Sequence, residues 1–144
     1  MKKILVTLAT LFSSQVFSSG NTQAMQGRFN VNTSRCSPFQ KNTPAKAFVS
    51  VRSSDSLLVE LIGSEGREII VHTQDGEDMG RNGRESYEAK WPTVNTLVST
   101  RTFVNDNGKT SKDVVTLESV GPRLTVSQVI DGRTTLTCEL NRLR

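Results

Sequence analysis

Apolar and polar residues alternate most clearly in the last third of the chain, residues 95–144. Leu124, Val126 and Ile130 recur with period 2, as do Leu136, Cys138 and Leu140. That spacing places one row of side chains on a single face, as in a half-buried strand. Ile130-Asp131-Gly132 between the two rows is a turn signal. A two-residue Asp131-Gly132 turn would set Ile130 against Arg133 and Leu124 against Glu139. A three-residue turn sets Val126 against Leu136 and Leu124 against Cys138, so the apolar rows coincide. A one-residue slip flips every side chain, and the pattern therefore predicts the three-residue turn. Cys138 then points inward, and Gln128 lies in the inward row between Val126 and Ile130.

The same alternation predicts strands upstream. Phe29 and Val31 mark a first strand over Gln26–Asn32, after a flexible lead-in at Asn21-Thr22-Gln23. Ala47, Val49 and Val51 share one face of a second, and a loop with Pro38 and Pro44 separates the two. Further strands are expected over Leu57–Ile62, Glu68–Thr73, Thr96–Val104, Asp113–Val120, Arg123–Ile130 and Thr134–Leu140. Asn107-Gly108 and Gly121-Pro122 mark turns. Residues 74–92 break the rhythm. They are polar, carry Gly76, Gly80 and Gly83, and hold the one Tyr, Tyr87, and the one Trp, Trp91. A long segment of this kind reads as a functional loop or lid, with Arg84–Trp91 open to strand or short helix. The total is about eight short, evenly spaced strands, which favours a barrel or sandwich.

The N-terminus follows another logic. Lys2-Lys3 precedes an apolar run from Ile4 to Phe12, and Val16-Phe17-Ser18 suits signal peptidase. Residues 1–18 read as a secretory signal peptide, with 19–144 as one β domain. No cysteine stands at the cleavage site, so periplasmic or secreted localisation without a lipid anchor is expected. Removing two lysines lowers the formal charge from +4 to +2. With no dense basic run left, charge gives no case for nucleic acid or an anionic membrane. One Trp, one Tyr and six Phe are too few for the aromatic girdles of a membrane barrel.

An exported chain with two cysteines, Cys36 and Cys138, is expected to pair them. The bridge closes a loop of about a hundred residues and constrains the unfolded state by roughly 4–5 kcal/mol. A metal site or catalytic thiol lacks support, since CxxC spacing is missing and His72 is the one histidine. His72 has no identifiable catalytic partner in the sequence and reads as a surface or pocket-rim residue. Asp75-Gly76-Glu77-Asp78 resembles a calcium loop, but Met79 and Ser86 fall where oxygen ligands belong. With no G-x-S-x-G elbow and no phosphate loop, no catalytic residue, metal or cofactor is expected.

Arg101 has two readings. Its strand carries Leu97, Ser99, Arg101 and Phe103 on one face and Val98, Thr100, Thr102 and Val104 on the other. If the Leu97/Phe103 face is interior, Arg101 lines a cavity and suits a carboxylate or phosphate. Otherwise it is a solvated charge. An inward Gln128 needs a hydrogen-bond partner, a buried water or a ligand. Tyr87 and Trp91 read either as anchors of a binding loop or as a plug at one barrel end.

Gly27-Arg28-Phe29 resembles the Gly-x-Trp opening of lipocalins, with Phe29 in place of tryptophan, and the strand layout is similar to a small lipocalin-like (calycin) barrel. The resemblance implies an all-β, antiparallel up-and-down β-barrel with an apolar pocket at one end, holding a small hydrophobic molecule. The candidate ligand residues are then Arg101, Gln128, Phe103, Tyr87 and Trp91, in a monomeric binding protein of the cell envelope. The outline is also similar to bacterial periplasmic lysozyme inhibitors, so the alternative is a secreted hydrolase inhibitor or interaction module using an exposed loop.

Overall fold

In the computed structural model, which describes residues 20–39 and 43–144, this alternation becomes ten antiparallel strands. The expected signal peptide, residues 1–18, lies outside the described residues. A short helix α1 (Thr22–Met25) leads into β1 (Gly27–Ser37), β2 (Lys46–Ser53), β3 (Ser56–Ile62) and β4 (Arg67–His72). Then come β5 (Gly76–Gly80), β6 (Gly83–Thr93), β7 (Thr96–Val104), β8 (Thr110–Val120), β9 (Arg123–Ile130) and β10 (Arg133–Arg142). They form one up-and-down sheet in the order β4-β3-β2-β1-β10-β9-β8-β7-β6-β5. The first strand pairs with the last, and β4 and β5 are left as the two free edges.

The sequence reading of about eight strands falls short by two, and both lie in 74–92. That segment is a β5–β6 hairpin, not a loop-like lid. β5 is missed because Glu77, Asp78 and Met79 are all exposed and give no apolar row. β6 did carry a signal: Tyr87, Ala89 and Trp91 alternate with Glu88 and Lys90. The lead-in is also more ordered than expected. Asn21 caps α1 by accepting a hydrogen bond from the Ala24 amide at 3.1 Å.

The final hairpin corrects the predicted register. Ile130 pairs with Arg133, so the turn is the two-residue Asp131-Gly132, with φ of 49° and 78°. Two positive φ values are the signature of a type I′ turn, whose twist matches that of the strands. The mismatch this creates is absorbed by a bulge between Thr134 and Leu136. Beyond it Leu136 faces Gln128, Cys138 faces Val126 and Leu140 faces Leu124. One inserted residue restores the apolar row.

The inward row is filled over much of the barrel. Phe29, Leu57, Val59, Leu97, Leu117, Leu124, Val126 and Leu140 are buried, and Met25 of α1 closes one end. The segment preceding β1 is fastened there. Arg142 donates to the Ala24 and Gln26 carbonyls and lies 4.8 Å from the Phe29 ring centre. Trp91 sits at this end as well; its indole donates to the Thr73 carbonyl at 3.3 Å, and Gly20 lies so close that a Cβ would overlap the ring. Val51, expected on the buried face of β2, is instead 58% exposed. The β2–β3 pairing is irregular between Val51 and Ser53, at the end of that hairpin. Cys36 and Cys138 are register partners on β1 and β10 and form a disulfide with Cα atoms 4.0 Å apart.

Candidate functional site

The Leu97/Phe103 face of β7 is the interior one, which decides between the two readings of Arg101. Leu97 and Ser99 are buried, and Arg101 lies half-buried in line with them. Cross-strand pairing continues the row, with Tyr87 beside Arg101 and Arg101 beside Asp113. The next row is Ala89, Ser99, Val115 and Gln128. Apolar filling stops between these rows, and a cavity of about 370 Å³ opens towards β4. Its wall includes Tyr87, Arg101, Asp113 and Gln128, with Ile69, Ile70 and His72 from the edge strand opposite. β4 contributes residues of both parities because an edge strand has no neighbour covering its free side.

The inward cation of this wall is paired with a carboxylate of β6. Arg101 forms a fork with Glu85, Nε to Oε2 at 2.8 Å and Nη2 to Oε1 at 2.7 Å. The Tyr87 hydroxyl donates to the same Oε2 at 2.9 Å. These bonds, led by Arg101, hold the Glu85 carboxyl below the usual carboxylate range. Burial and then the Glu85 hydrogen bond push the Tyr87 phenol up to about 12. Arg101 also lies 4.3 Å from the Phe103 ring centre, which shields its other side.

Gln128 finds its partners within the protein. Its amide nitrogen donates to both Asp113 oxygens, at 3.1 and 3.0 Å, and its oxygen accepts from Thr135 at 3.3 Å. Burial pushes the Asp113 carboxyl up, against the Gln128 hydrogen bond and the charge of Arg101.

His72 stacks on Tyr87, ring centres 3.5 Å apart and 21° from parallel, so the pair bridges β4 and β6. Burial, the largest influence, holds its imidazole below the ordinary value. Asp55 opposes this, while Arg52 and Arg101 add to it. His72 is therefore an uncharged aromatic wall at neutral pH.

Of the five predicted ligand residues, Arg101, Gln128 and Tyr87 come together at the cavity. Phe103 lies next to it, lining an open recess of about 250 Å³ with Glu85 and Thr102. Trp91 does not reach it; it belongs to the closed end, which is the plug reading. Glu85 and Asp113 were not singled out in the sequence. Glu85 precedes Tyr87, Ala89 and Trp91 at period 2, and Asp113 precedes Val115 and Leu117 in the same way, so alternation alone could have found both. A larger trough of about 730 Å³ runs beside Glu88, Lys90, Thr100 and Lys112, but it is open and flanked by solvated charges. Among the described residues no group of acidic, histidine or cysteine side chains is arranged to hold a metal, and no helix is long and apolar enough to cross a membrane.

Neither a family model nor a curated protein matches the sequence. Solved structures do match the fold. Fatty-acid-binding protein 1 of Echinococcus granulosus is 8% identical, with TM-score 0.52, covering 85% of this chain and 99% of that one. A point mutant of the fluorescent protein UnaG is 11% identical at TM-score 0.50, covering 85% and 99%. The REP1-NXSQ fatty acid transporter is 10% identical at TM-score 0.50, covering 85% and 98%. At this identity the likeness concerns the fold alone, an all-β antiparallel up-and-down barrel.

Proposed function

We propose that this chain is an exported binding protein of the cell envelope that holds a small amphipathic molecule in the barrel. The observation that carries the reading is the cavity itself. Packing leaves about 370 Å³ unfilled where Arg101, Gln128 and Tyr87 converge, a size at the lower end of small-molecule sites. Two solved barrels of the same fold are named for fatty acids, which favours a carrier role over catalysis. Export rests on the order of charge, apolar run and cleavage site in residues 1–18.

The ligand is amphipathic, not wholly apolar, because the deep apolar rows are already occupied by side chains. Its apolar part lies against Ile69, Ile70 and the His72–Tyr87 stack, and its polar end meets the Arg101–Glu85 and Gln128–Asp113 pairs. The inhibitor reading needs Tyr87 and Trp91 displayed on a projecting loop. Trp91 is 8% exposed and Tyr87 is stacked on His72, so neither ring is available for that.

Native mass spectrometry of protein purified from its own envelope, with organic extraction of anything released, tests the proposal. A co-purifying small molecule supports it and reveals its chemistry. A clean apo mass, with no uptake of amphipathic probes, overturns it.

A further inference from the structure

The cavity lies in a fold shared with barrels named for fatty acids, but its own charges do not suit a carboxylate. A carboxylate ligand needs a cation with its charge available. Arg101 is the only inward cation among the inner rows of β6–β9, and Glu85 already neutralises it through two hydrogen bonds of 2.8 and 2.7 Å. A second carboxylate, Asp113, stands beside it with an uncharged partner, the Gln128 amide. The rim adds Arg52 against Glu68 and Asp78. The wall therefore brings two guanidiniums and four carboxylates together, a formal excess of two negative charges with His72 neutral. Bringing in a carboxylate would set it against Asp113 in a partly desolvated space, where like charges repel more strongly than in water. A cation meets the opposite field, and the aromatic Tyr87 lines the same cavity.

From this charge arrangement, and resting on the binding reading above, we propose that the cavity takes a positively charged amphiphile, a protonated amine or other cationic head on a short apolar body, with Asp113 as its counter-ion. Gln128 positions the Asp113 carboxylate through its amide, and the Arg101–Glu85 fork leaves the inward guanidinium already neutralised.

Calorimetric titration of the disulfide-bonded protein with decylamine, decanol and decanoate, at neutral pH and low salt, tests this. The three probes share a chain and differ in head-group charge. The expected order is amine, alcohol, acid, with amine and acid about tenfold or more apart. Asp113→Asn keeps the shape, removes the counter-ion and should abolish most of that preference. Glu85→Gln frees the charge of Arg101 and should raise decanoate affinity; it provides an independent test if Asp113→Asn folds poorly. Decanoate binding as tightly as decylamine to the unmodified protein overturns the cationic assignment and leaves the binding reading standing. A preference unchanged in Asp113→Asn and Glu85→Gln overturns it equally. Failure of all three probes to bind overturns both.

Discussion

Arg101 and Glu85 show how much one half-buried pair depends on its partner. The Glu85 side chain is 14% exposed, so an unpaired carboxylate there would be poorly solvated. Arg101→Met should lower unfolding stability by about 1–3 kcal/mol, measured by urea denaturation. Adding Glu85→Gln to it should cost less than the sum of the two single changes, since they share one interaction. His72 sets a different dependence. Its folded imidazole resists protonation, so below its ordinary value of about 6.5 the unfolded chain takes up a proton that the folded chain does not. Its contribution is complete above that pH and is lost as pH falls towards the folded value. Melting temperature should therefore drop on acidification from neutral pH, less steeply in His72→Gln. Glu85 adds a separate loss below about 4.5 as its paired carboxylate protonates. At this scale the sequence was only half legible. Ser99 and Arg101 alternate with Val98 and Thr100, so either face of β7 could have been interior. The choice came from long-range pairing with Tyr87 and Asp113, which no local pattern encodes.

Among the elements, long strands with an apolar row were readable and polar ones were not. Arg123–Ile130 was placed within its observed limits because Leu124 and Val126 announce it. β5 has no such row, and its existence follows from pairing with β6 alone. The last hairpin shows a subtler limit. Matching of apolar rows called for one extra residue and put it in the turn, setting Leu124 against Cys138, whereas it sits in β10 and Leu124 faces Leu140. Backbone conformation decided that: Asp131-Gly132 is well suited to two positive φ values, so the extra residue moved into the strand as a bulge. The Asp131 carboxylate also accepts from the Lys112 amide at 2.8 Å, tying this turn to β8. Gly132→Ala, at φ 78°, should cost about 1 kcal/mol and leave the fold unchanged, as read by urea denaturation and circular dichroism.

For the whole molecule, the governing feature is a sheet whose first and last strands pair while β4 and β5 do not. The disulfide reinforces the paired side, joining residues 102 apart in sequence. Replacing both cysteines by serine should remove about 4–5 kcal/mol of stability, seen as a lower urea midpoint. The unpaired side is held by side chains reaching across it, His72 on Tyr87 and Trp91 on the Thr73 carbonyl. Outward-facing amides of β4 and β5 should therefore exchange with solvent before those of β1 and β10, as hydrogen exchange would show. The pairing of the cysteines was legible from their number and the expected export. The free edges were not, because an unpaired edge depends on which strands meet after folding.

Tyr87 and Trp91, alone of their kinds in the chain, lie four residues apart on one strand, about 13 Å along it, yet belong to different ends of the interior. The protein thus carries one natural chromophore at each end. Occupation of the cavity should alter tyrosine ultraviolet absorption while leaving indole emission largely in place. Displacing the segment that covers Trp91, as Gly20→Leu would, should red-shift indole emission with little effect on the tyrosine spectrum. Filling one end and loosening the other can be followed separately in unlabelled protein.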